Sequence, residues 1–142
     1  MTLTHDRKAE LLAAAPLFDG VDADGLAALA GRVVEVAFPA GGVIARQGDV
    51  GTGFFVVASG SVHVVRDGRT IATLGVGEFF GELSVLDGLP RTAQVVAAEP
   101  TVCLGLATWE FEAVVREQPS VALAVMRGLA ARLRGLTEAD RH

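Results

Sequence analysis

Between Arg32 and Leu106 the apolar residues come in runs of only three to six, separated by glycine, proline or Asp-Gly. Such runs are too short for helices, and their branched residues suit a pleated surface. They are Val33–Val36, Val43–Ala45, Phe54–Val57, Val62–Val65, Thr70–Leu74, Ala93–Ala97 and Thr101–Leu106. The breaks at Pro39 to Gly42, Gly48-Asp49, Ser59 to Ser61 and Glu99-Pro100 read as turns. Asp67-Gly68, between two short runs, is the clearest hairpin signal. Seven or eight short strands at this spacing predict a sandwich, jelly roll or barrel.

Both flanks change to helical spacing. Leu3, Leu11, Leu12 and Leu17 lie in an alanine-rich charged stretch that Pro16 closes. Asp22 is positioned to cap a helix over Ala23 to Ala30, with Leu26 and Leu29 on one face and Gly31 as its stop. After the strands, Thr108 is positioned to cap Trp109 to Glu117, whose Phe111, Val114 and Val115 make an apolar stripe. Pro119-Ser120 restarts a longer helix to about Thr137. Its Leu123, Met126, Leu129, Leu133 and Leu136 recur at three and four, with Arg127, Arg132 and Arg134 between them. These leucines suit either packing on the β core or a partner surface. The expected plan is one mainly β domain over 1–142, with N-terminal helices over 1–31, strands over 32–107 and C-terminal helices over 108–138.

Composition narrows the function classes. A chain 51% hydrophobic and 20% charged, with mean hydropathy +0.44, can bury a core and is not disordered. A net charge of −5 opposes general attraction to nucleic acid or an anionic membrane, so any anion site must be local. Cys103, in the apolar run Thr101 to Leu104, reads as a reduced core residue. With no signal-peptide pattern and no apolar run of about eighteen residues, the expected location is cytoplasmic.

Catalytic signatures are missing. His5, His63 and His142 share no metal-ligand spacing with each other or with Cys103, and His63 alternates with Val62 and Val64 as a solvent-facing strand residue would. No GxSxG, HExxH or CxxC occurs, and nothing marks Glu82 and Asp87 as an acid/base pair. Gly48 to Gly53 lacks the Lys-Ser/Thr of a phosphate loop, and Gly75 to Gly81 misses the dinucleotide spacing by one residue. An enzyme is not expected. The cupin-like alternative, a small metal-dependent β-barrel enzyme, lacks the histidine cluster it would need.

One stretch, Gly77 to Val96, carries a different chemistry. Gly81 admits backbone conformations closed to other residues, and Glu82 to Leu86 is long enough for one or two helical turns. Asp87 to Pro90 then turns the chain into a strand led by Arg91. A short helix starting at Gly81 would aim free N–H groups at an anion, and the planar fork of Arg91 matches two phosphate oxygens. Thr92 adds a hydroxyl. Glu82 would be repelled by phosphate and suits a sugar hydroxyl instead. The parts describe a phosphate beside a ribose, but the residues alone equally allow Arg91 to pair with Glu82 or Asp87 and pin the turn.

The segment resembles the phosphate-binding cassette of cyclic nucleotide-binding domains, found in catabolite activator proteins, cyclic-AMP-dependent kinase regulatory subunits and nucleotide-gated channels. Phe80-Gly81-Glu82-Leu83-Ser84 and Pro90-Arg91-Thr92-Ala93-Gln94-Val95 match both halves of the pattern F-G-E-L/I-A/S … P-R-x-A-x-V. The similarity extends to Pro16-Leu17-Phe18 and to Gly41 through Gly60. The resemblance implies a double-stranded β-helix (a jelly-roll β-roll) with N-terminal helices, a short cassette helix and two C-terminal helices. It implies that Arg91 grips the exocyclic phosphate, helped by backbone at Gly81, Leu83 and Ser84, and that Glu82 holds the ribose 2′-hydroxyl. Thr92 and Ala93 would complete the cassette, Ile71 and Leu74 would line the wall beneath the base, and the last helix would supply a lid through Arg132 and Thr137.

The ligand so implied is cyclic AMP, or cyclic GMP if the Thr92 hydroxyl meets a guanine amino group, with no cofactor and no metal. The helix-turn-helix of activator-type relatives is not expected in this chain, nor is direct nucleic-acid or membrane binding. The partners expected are the nucleotide, and a second copy or an effector protein through the last helix. The competing expectation is a β-roll interaction module that has lost its nucleotide. Relatives that have lost it typically lack the cassette arginine and acid, both of which are present here.

Overall fold

The computed structural model describes residues 3–49, 53–81 and 90–140, and the side chains of Pro16, Arg132 and residues 136–140 are outside that set. Local chemistry starts each N-terminal helix. Thr4 caps α1 (His5–Ala14), its hydroxyl accepting from the Arg7 N–H at 3.1 Å. A 3-10 turn, Pro16–Phe18, leads to α2 (Ala23–Ala30), which Asp22 caps through a 2.8 Å bond from the Gly25 N–H. Gly31 stops α2 as expected, but at φ −72°, so the stop does not use glycine's left-handed freedom.

Eight strands follow among the described residues: β1 (Val34–Phe38), β2 (Val43–Ala45), β3 (Gly53–Ser59), β4 (Val62–Arg66), β5 (Arg69–Leu74), β6 (Phe79–Phe80), β7 (Gln94–Ala97) and β8 (Thr101–Ala107). They form two antiparallel sheets, ordered β1-β8-β3-β6 and β2-β7-β4-β5. The Asp67-Gly68 hairpin joins β4 to β5 with Arg66 opposite Arg69, and both turn residues have positive φ, 52° and 78°. That is the backbone a two-residue hairpin demands. The two-residue β6 is too short for any periodicity and gave no signal of its own.

Alternation in β3 and β8 feeds two cores. Phe54, Val56, Leu104 and Leu106 face the helices and pack with Leu12, Phe18, Leu29, Val114 and Val121. Val57 and Cys103 face the second sheet and pack with Ala45, Val62, Phe80 and Val95. Burial on both faces explains why these two strands read as continuous apolar runs. Cys103 is fully buried, and burial pushes its thiol up to about 11. His63 alternates with the core-facing Val62 and Val64 and lies on the outer face of β4, partly exposed, with Nδ1 3.1 Å from the hydroxyl of the exposed Thr73.

The C-terminal helices are α3 (Thr108–Glu117) and α4 (Pro119–Asp140). Thr108 does not cap α3 as the sequence suggested. It is the first helical residue, Ala107 holds the cap position without a side-chain hydrogen bond, and the Thr108 hydroxyl is buried with no partner. Arg32 fastens α3 to the end of α2, donating to Glu110 at 3.0 Å and Glu117 at 2.7 Å. The bond to Glu110 is the main reason its pKa is raised. Along α4, Val121, Ala124 and Val125 are buried and Leu129 is half-buried against the helix-side core, whereas Leu123, Met126 and Leu133 are exposed.

Candidate functional site

Three loops meet at one end of the roll and position the residue on which the sequence reading turned. The N–H of Arg91 donates to the Asp49 carbonyl at 2.7 Å, and the Gly48 N–H donates to the Arg91 carbonyl at 2.9 Å. This reciprocal pair locks the residue before β7 to the turn after β2. Gln47 ties the same turn to the β4–β5 hairpin, donating to the Asp67 carboxylate at 3.0 Å and accepting from the Asp67 N–H at 3.2 Å.

The guanidinium of Arg91 is half-buried against Gly81 and β3. Its Nη2 donates to the Gly53 carbonyl at 2.7 Å. Gly81, at φ +88°, leaves β6 directly beside it, and a Cβ there would stand 2.5 Å from Arg91 Nη1 and 3.1 Å from the Gly53 carbonyl oxygen. Glycine is therefore needed at position 81 twice, for its backbone conformation and for the space the cation occupies. A planar cation held by a backbone carbonyl, rather than embedded in apolar surface, keeps its charge and a fixed direction.

The other predicted residues divide. Glu82, Leu83 and Ser84 lie outside the described residues, as do the side chains of Arg132 and Thr137, though both of the latter belong to α4. Ala93 is half-buried and Thr92 is exposed. Arg66, which sequence reasoning did not single out, reaches across from β4: its Nε donates to the Thr92 carbonyl at 3.1 Å, and Nη2 lies 3.5 Å from the Thr92 hydroxyl. No local pattern could have signalled that contact, 26 residues apart in the chain. On β5, Leu74 packs against the inter-sheet core while Ile71 is 50% exposed.

Arg91 also lines an open cleft of about 440 Å³ between β2 and the β1-β8-β3 sheet. Ile71, Leu74, Thr92 and Ala93 are not among its lining residues. In the order β2-β7-β4-β5, the strand that follows Arg91 separates the cleft from Ile71 and Leu74. The structure thus brings Gly81 and Arg91 together and sets the predicted base wall on the opposite side of β7 from the cleft. No group of three or more His, Cys, Asp or Glu among the described residues is arranged to hold a metal. No helix among them is long and apolar enough to cross a membrane.

The cyclic nucleotide-binding domain family matches residues 35–118. The cyclic AMP receptor protein of Thermus thermophilus is 39% identical over 130 residues, covering 88% of this chain and 59% of that protein. The N-terminal domain of a transcriptional regulator from Streptomyces coelicolor A3(2) superposes with TM-score 0.82 at 34% identity, covering 91% of this chain and 93% of that one. The regulatory domain of Toxoplasma gondii PKA, crystallised with cAMP, superposes with TM-score 0.73 at 27% identity, covering 80% and 45%. The chain belongs to the cyclic nucleotide-binding domain family, and its two sheets and flanking helices are that family's β-roll. It spans 58–59% of the length of the first relatives it matches.

Proposed function

We propose that this chain is a cyclic nucleotide sensor, a regulatory module without chemistry of its own, whose ligand is cyclic AMP. The observation that carries the reading is the Gly81–Arg91 pair: a directed guanidinium whose space exists only because residue 81 has no side chain. An exocyclic phosphate takes two donors from such a fork. The ribose 2′-hydroxyl goes to Glu82, and the backbone at Leu83 and Ser84 adds donors to the phosphate. Ile71, left half in water on β5, gains cover when a purine stacks on it and Leu74. Arg132 and Thr137 supply the lid from α4. Two of the relatives above are named for cyclic AMP or were crystallised with it, which favours that base over guanine.

Signalling follows from linkage. A ligand moves an equilibrium only through different affinities for its two states, so nucleotide contacts must be better satisfied when α3 and α4 close over the roll. The movable face of α4 also offers a partner surface. Leu123, Met126, Ala130 and Leu133 are exposed at intervals of three, four and three, a two-helix seam suited to a second copy.

Melting curves with cyclic AMP, cyclic GMP and cyclic di-GMP test the reading. Binding at a hundredfold excess over Kd adds about 2.7 kcal/mol to stability. The melting temperature rises with cyclic AMP and least with the dinucleotide. No rise with any of them would leave a β-roll interaction module instead.

A further inference from the structure

The cleft on the far side of β7 has the make-up of a second ligand site. At about 440 Å³ it is of small-molecule size. Its floor is Gly105, which pairs with Val34 on β1 and Phe55 on β3 and has no side chain, so the Phe55 ring lies down over it. A Cβ at Gly105 would meet the Phe55 ring at 3.0 Å. Around this floor stand large apolar groups left in water: Val34 is 62% exposed, and Trp109, the chain's one tryptophan, is also 62% exposed. Exposed apolar side chains scattered singly need no explanation, but these line one concavity.

The charges select the ligand's other end. Among the described residues the lining carries Arg46, Arg91 and Asp49, a net charge of +1 within a chain of net charge −5. Arg46 is exposed, and no acid among the described residues pairs with it. A dianion would exceed that balance and meet Asp49, and a neutral hydrophobe would leave Arg46 unused. We infer that the cleft binds a small amphiphilic monoanion, an aliphatic or aryl carboxylate, with its body on Val34, Phe55 and Trp109 and its carboxylate toward Arg46. The cleft shares Arg91 with the proposed phosphate site, but its carboxylate anchor, Arg46, and its apolar wall belong to neither the cassette nor the proposed base wall.

Trp109 emission reads occupancy directly. Octanoate titrated into the nucleotide-free protein shifts the emission to the blue and saturates, whereas octan-1-ol, the same body without the charge, binds roughly tenfold more weakly. Arg46→Gln removes most of that difference by weakening octanoate alone, and Val34→Glu abolishes octanoate binding. Both positions are exposed, so thermal melts of the variants stay at the parent value, and Arg46→Gln alone suffices if Val34→Glu does not fold. A linear, unsaturable response overturns the inference, as does equal binding of acid and alcohol or indifference to Arg46→Gln. Stoichiometric displacement of octanoate by cyclic AMP overturns it too, because the cleft would then be the nucleotide's own seat.

Discussion

Gly81→Ala puts a number on the close contact between Gly81 and the Arg91 guanidinium. At φ +88° an L side chain costs about 1–2 kcal/mol in backbone strain. The new Cβ would also stand 2.5 Å from Arg91 Nη1, so the guanidinium must move. Moving the tip of a flexible side chain is sterically cheap, but this one is held by its 2.7 Å bond to the Gly53 carbonyl. A hydrogen bond to a charged group is worth about 1.5–3 kcal/mol. The sum, roughly 2.5–5 kcal/mol, is a large share of a domain's stability. It is measured by urea denaturation of the parent, Gly81→Ala, Arg91→Ala and the double variant. In the Arg91→Ala background the bond is already gone, so Gly81→Ala should cost only the strain term. The two changes then couple by about 1.5–3 kcal/mol. Additivity to within about 0.5 kcal/mol would mean that the glycine does not make room for the arginine, and the geometric basis of the site would fail.

Gly60→Ala is expected to be worse tolerated than most surface changes. Its φ is +85° and a Cβ would lie 2.6 Å from the Pro100 carbonyl oxygen, so a loss of about 3 kcal/mol or more should appear in the melting curve. Cys103 titrates near 11 when folded against 9.0 as the reference, so the folded chain retains a proton that the unfolded chain releases. Its contribution is complete below pH 9 and is lost as pH rises toward 11, at up to about 1.4 kcal/mol per pH unit; Cys103→Ala should lose stability less steeply over that interval, and parallel curves would contradict the assignment. Met126→Glu combined with Leu133→Glu should shift sedimentation from dimer to monomer with little change in melting temperature, because both residues are more than half exposed in the single chain.

What could be read ahead of the structure was whatever depends on neighbours in the chain. Asp22 capped its helix and Asp67-Gly68 made its hairpin, because caps and two-residue turns are settled within a few residues. Gly81 was recognisable for the same reason, although the close approach of Arg91 was not. Thr108 misled because its hydroxyl, well placed to cap, is instead the first helical side chain and is buried. On α4, Leu129 and Leu133 look alike in sequence, and only the packing of α4 against the helix-side core separates the half-buried one from the exposed one. The cleft escaped because its walls come from four strands and a helix, which no single stretch of the chain displays. Arg66 beside Thr92 is likewise a product of strand pairing.

Calorimetric titration of cyclic AMP into the parent protein and Arg91→Ala bears most directly on the claim that this guanidinium receives a cyclic phosphate. The parent should bind one nucleotide per chain, and the variant should bind more weakly by about 2–4 kcal/mol, from a lost charge-assisted pair and phosphate oxygens left unmet. Equal affinity in the two proteins would make the arginine a structural tie between Gly53 and the turn after β2, and the phosphate site would have to lie elsewhere.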